Sequence, residues 1–140
     1  LVYLYAPTHL NRTSDYGVSF ERGTYIDYGD RRHVFISGTA SINNKGQIMH
    51  EGDVVKQTHR MWENVETLLA EAECTYDDAA YMIVYLRDTA DYAVVRSLYE
   101  ERFGDKPYII VHAPVCRPGW LVEMECMAVK SMQNDAAEPF

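Results

Sequence analysis

Two hydrophobic periods run through the chain. Val54, Thr58, Met61, Trp62, Val65, Leu68, Leu69 and Ala72 recur at three- and four-residue spacing, with charged residues between them. This predicts an amphipathic helix capped by Asp53 and running to about Glu73, its apolar stripe packed on a sheet. Tyr92, Val95, Leu98, Tyr99 and Phe103 repeat the pattern in a second helix, capped by Thr89 or Asp91 and stopped by Gly104. Strands are predicted over residues 33–40, 80–86, 108–112 and 120–129, the second a near-continuous apolar run of the kind covered on both faces. Residues 1–32 are polar and irregular, with Val18-Ser19-Phe20 and Thr24-Tyr25-Ile26 as short strands of a hairpin, and residues 131–140 form a loose polar tail. The order hairpin, strand, helix, strand, helix, strand, strand implies an α+β fold. A mixed β-sheet with two long helices packed on one face buries both stripes within a single domain spanning residues 1–140.

The last strand carries the most information. Val122, Met124, Cys126 and Ala128 alternate onto the face that meets the helices, and Leu121, Glu123, Glu125, Met127 and Val129 onto the other. Were that outer face solvated, Leu121, Met127 and Val129 would form an exposed apolar patch. Were it buried between subunits, the two carboxylates would need partners. The second alternative implies an oligomer with a polar site at its interface.

Composition narrows the function classes. The net charge of −8 repels a phosphate backbone, and the only dense basic spot, Arg31-Arg32-His33, is too short to track nucleic acid. No apolar run is long enough to span a membrane. Cys74, Cys116 and Cys126 make no CxxC pair, which suggests neither a disulfide framework nor a metal site and reads as a reducing, cytoplasmic setting. No cofactor motif is present. The chain begins at Leu1 rather than Met, as a trimmed protein or a piece of a longer polypeptide would.

Several segments resemble the YjgF/Rid family, also labelled endoribonuclease L-PSP. They are Phe35-Ile36-Ser37-Gly38-Thr39-Ala40, Asp53 to Thr58 with Trp62-Glu63-Asn64-Val65, Val84 to Asp88, Val95 to Glu100, and the closing Val122-Glu123-Met124-Glu125-Cys126-Met127-Ala128-Val129. The resemblance covers residues 33–130 and implies a trimer packed sheet to sheet as a barrel, with clefts between subunits that bind small carboxylated metabolites. Founding members hydrolyse enamines and imines, using an Arg of the penultimate strand for the substrate carboxylate. Here Tyr108 stands near that position, and a hydroxyl cannot form the bidentate charged pair that Arg makes.

Ser37 to Ile42, Gln57-Thr58, and Cys116-Arg117 followed by Leu121 to Glu125 also resemble the C-terminal half of chorismatases, which hydrolyse an enol-pyruvyl ether. Together the resemblances imply Glu123 and Glu125 as the catalytic acids. They imply a substrate-binding set of Arg117 as the carboxylate anchor, Cys116, Ser37, Gly38, Thr39 and Tyr108. A Glu desolvated among Leu, Met and Trp would have the raised pKa that proton donation needs. Cys116 is equally readable as a small buried residue, and Trp120 as a wall of the site or a plug of the trimer core. The alternatives are a non-catalytic ligand-binding trimer and an endoribonuclease.

Overall fold

A computed structural model describes residues 1–137. Six strands form one sheet: β1 (Val2–Leu4), β2 (Gly23–Asp27), β3 (Arg31–Ala40), β4 (Ala79–Leu86), β5 (Tyr108–His112) and β6 (Val122–Ser131). Their order across the sheet is β1-β2-β3-β6-β4-β5. Only β4 and β5 run parallel, joined by the crossover helix α2 (Tyr92–Phe103), while α1 (Val54–Glu71) links β3 to β4. The fold is therefore the expected α+β mixed sheet with two helices.

The stripe on α1 meets the sheet as predicted. Met61, Trp62, Val65, Leu68 and Leu69 are fully buried against Val34, Ile36, Val84, Met124 and Ala128. The Asp53 carboxylate accepts from the backbone N–H of Lys56, closing one of the open donors of the first turn. On α2 the inner face is Val95, Tyr99 and Phe103; Tyr92, placed there by periodicity, is largely exposed at the first turn. Rings of Trp62, Tyr76, Tyr99 and Phe103 stack edge to face or tilted around the α1–α2 contact.

The first 32 residues depart from expectation. Val18-Ser19-Phe20 is not a strand. On the side away from β3, β2 pairs with β1, with Val2 opposite Tyr25 and Leu4 opposite Gly23. Leu4, Ala6 and Leu10 are buried, so this segment closes one end of the core. The chain-terminal apolar residues outcompete the nearer segment because they supply the side chains that fill that end. The tail also differs: Met132 and Asn134 donate to the carbonyls of Asp30 and Gly29, continuing the contact of β6 with the start of β3, while residues 138–140 lie outside the described residues. Among the described residues no helix is long and apolar enough to cross a membrane.

Candidate functional site

The site begins at an irregularity in β3. Ile36 pairs with Cys126 and Thr39 with Met124, so Ser37 and Gly38 together oppose Glu125. This bulge breaks the alternation: Ile36 and Thr39 both point to the core, and Gly38 turns to the other face. Thr39 is fully buried and donates its hydroxyl to the Ser37 carbonyl, holding the bulge from the helix side. The Ser37 N–H donates to the Arg22 carbonyl and its hydroxyl to that of Glu21. Gly38, bare of a side chain, is where the Glu123 carboxylate packs.

A cavity of about 200 Å³ opens beside that contact, lined by Tyr16, Phe20, Gly38, Cys116, Arg117, Trp120 and Glu123 among others. Trp120 walls it, its indole N–H without a hydrogen-bond partner among the described residues. Arg117 is exposed at the rim, its guanidinium carbon 5.7 Å from the Trp120 ring centre. Cys116 is a free, exposed thiol on the same loop.

Buried polar groups fix that loop. Gln57 is fully buried; its amide N–H₂ donates to the carbonyls of His50 (3.2 Å) and Gly119 (3.0 Å), and its oxygen accepts from the Leu121 N–H at 3.0 Å. Arg87 donates to the carbonyls of Val115, Arg117 and Trp120. Asn64 holds Ala40 and Ile42 in the same manner beyond the bulge. The Gln and Asn noticed on α1 thus act as staples that position the cavity's walls.

Of the residues singled out from sequence, the structure brings Gly38, Cys116, Arg117 and Glu123 together. Glu125 shares the strand face but lines a separate shallow groove with Phe35, Ser37 and Tyr81, beside Tyr85. Tyr108 lies on the helix side of the sheet, its ring 5.2 Å from that of Tyr99, and does not reach the cavity. His112 faces the Arg87 carbonyl, away from it.

Burial raises the Glu123 carboxyl pKa; nearby Arg22 opposes this and Glu125 adds to it. Sequence reasoning missed Arg22, Tyr16 and Phe20. Arg22 is 3 % exposed, and burial lowers its pKa to about 10 against the pull of Glu123. Its guanidinium lies 5.2 Å from the Tyr16 ring centre and 5.0 Å from that of Phe20. Nothing periodic marks these residues, because they meet only where a loop folds over the bulge.

The fold agrees with the comparisons to known proteins. Residues 22–130 match the family described as endoribonuclease L-PSP. A RutC family protein of Pyrococcus abyssi is 33% identical over 99 residues, 69% of this chain and 78% of that protein. The chain belongs to the endoribonuclease L-PSP family, the YjgF/Rid group. Among solved structures, a putative endoribonuclease from Thermotoga maritima superposes with a TM-score of 0.77 at 18% identity, covering 93% of this chain and 98% of that one. The YjgF gene product of E. coli gives 0.74 at 20% identity, covering 93% and 99%. E. coli TdcF, solved with bound serine, gives 0.72 at 22%, covering 94% and 99%.

Proposed function

We propose that the chain is a hydrolase of this family acting on a small carboxylated metabolite, in a cleft completed between the subunits of a trimer. The observation that carries this reading is Glu123, a carboxyl with a raised pKa packed against Gly38 in a mostly apolar cavity. A carboxyl desolvated in this way holds its proton closer to neutrality and can deliver it to carbon. Enamines and enol ethers share that first step. Protonation of the C=C carbon leaves an iminium or oxocarbenium centre, water adds to it, and ammonia or an alcohol departs to leave a ketone. Arg117 at the rim draws in the substrate carboxylate, and Cys116 and Trp120 shape the cavity. The serine bound by TdcF, a small amino acid, is of the same ligand class.

The test is hydrolysis of 2-enamino acids generated in situ and of enol-pyruvyl ethers, by the wild type and Glu123→Gln. Turnover in the wild type, lost in the variant, is expected. Binding of 2-oxo acids with no turnover of either substrate class would replace the enzyme with a ligand-binding module. The cavity of about 200 Å³ and the charge of −8 suit a small molecule better than an RNA strand, so RNA should remain uncut.

A further inference from the structure

Apart from Glu123 and the rim, the side chains lining the cavity are Tyr16, Val18, Phe20, Ile42 and Trp120, three of them aromatic. These walls are braced from outside it. The Tyr16 ring packs on Gly46, where a Cβ would lie 2.9 Å from its Cγ. The buried Arg22 guanidinium stands 5.2 Å from the Tyr16 ring centre and 5.0 Å from that of Phe20. Buried Thr13 donates its hydroxyl to the Phe20 carbonyl. Trp120 donates its N–H to the Arg117 carbonyl and accepts from Arg87. Walls fixed in this way lose little freedom when a ligand enters. An apolar cavity of about 150 Å³ admits benzene, and this one measures about 200 Å³.

The chemistry decides which part of a substrate meets these walls. In a 2-enamino acid, R–CH=C(NH2)–COO−, the proton from Glu123 goes to the carbon that carries R. R therefore lies beside Glu123, among the apolar side chains, while the carboxylate sits on the next carbon and is free to face the rim. A hydrogen as R would leave most of the cavity empty, and its lining would forfeit those contacts. We propose that the cavity reads the substrate's side chain, selecting 2-enamino acids whose R is an aryl or similarly bulky apolar group. This rests on the reading of the site as a hydrolase for small carboxylated metabolites, and it names the class. The π pair of the C=C bond takes the Glu123 proton as a new C–H bond, leaving an iminium. Water adds to the iminium carbon and returns a proton to Glu123. Ammonia then departs, leaving R–CH2–CO–COO−.

The experiment is an NMR titration with phenylpyruvate and pyruvate, the products for R as phenyl and as hydrogen, which differ only in the ring. Of the two tryptophans, Trp62 is fully buried in the core, so a moving indole N–H signal reports Trp120. Wild type should bind phenylpyruvate more tightly by roughly ten- to a hundredfold, the gain from burying one phenyl group, and the Trp120 signal should shift. Phe20 is 42% exposed, so Phe20→Ala should fold; it should lose most of the preference with pyruvate binding unchanged, as should Trp120→Ala. Should a variant not fold, the two wild-type affinities and the Trp120 signal decide the question. Equal affinities, tighter binding of pyruvate, an unmoved Trp120 signal, or a preference that survives in both variants overturns the proposal and leaves the reading of the site intact. A wild type that binds neither probe removes both.

Discussion

A Cβ atom on Gly38 would lie 2.4 Å from Oε1 of Glu123. The two residues sit on neighbouring strands, and the missing side chain of one is the resting place of the other's carboxylate. Gly38→Ala should therefore push the carboxylate aside. Because the atom in the way ends a flexible side chain, the fold should lose only about 1 kcal/mol. Turnover and ligand affinity should fall sharply while the melting temperature drops by only about 3–5 °C. A variant with normal turnover would mean that the position of Glu123 does not matter to the chemistry.

Glu123 also predicts a pH signature. Its folded pKa is raised by burial, so the folded chain holds this proton more tightly than the unfolded chain, whose value is about 4.3. The stability it contributes is complete below the unfolded pKa and disappears as pH rises through the folded one. Glu123→Gln cannot titrate. Its melting temperature should match the wild type near pH 4 and exceed it near pH 8, with turnover lost. Glu125→Gln, in a separate groove, should keep turnover within a few-fold. Melts run parallel at all pH values would show that Glu123 titrates normally.

Gln57 makes three hydrogen bonds from a fully buried position between α1 and the loop at Gly119 to Leu121. Gln57→Leu conserves bulk but leaves the Leu121 N–H and two carbonyls without their partner. Chemical denaturation should report a loss of about 3 kcal/mol. Ligand affinity should drop as well, because the loop carries Arg117 and Trp120. Stability equal to wild type would show that water replaces the amide at no cost.

The outer face of the sheet exposes Phe35, Tyr81 and Ile109, at 44%, 42% and 56% of their surface. Such a face needs cover, and the expected cover is two further copies of this chain. Light scattering at micromolar concentration should give the mass of three chains. Phe35→Glu, central in β3, should give monomers with the melting profile of a folded domain. A wild type that stays monomeric would remove the cleft between subunits.

Much of this protein is decided by local periodicity. The stripe of α1, the Val95–Tyr99–Phe103 face of α2 and the alternation Val122, Met124, Cys126, Ala128 follow from spacing alone, because a helix or strand must bury the side that its repeat makes apolar. Glu123 was visible for the same reason, as a carboxylate on an otherwise apolar strand face. Only the tertiary structure decided the rest. The β3 bulge turns Gly38 towards Glu123 and Thr39 away from it, a one-residue slip that no alternation rule contains. Tyr108 moved to the core side because its ring packs on Tyr99. Val2–Leu4, rather than Val18–Phe20, pairs with β2 because Leu4, Ala6 and Leu10 fill the end of the core. Arg22 stayed invisible because Ser37 and Glu123, distant in sequence, meet Tyr16 and Phe20 around it only after the sheet has formed, and desolvation belongs to that assembled neighbourhood rather than to any stretch of chain.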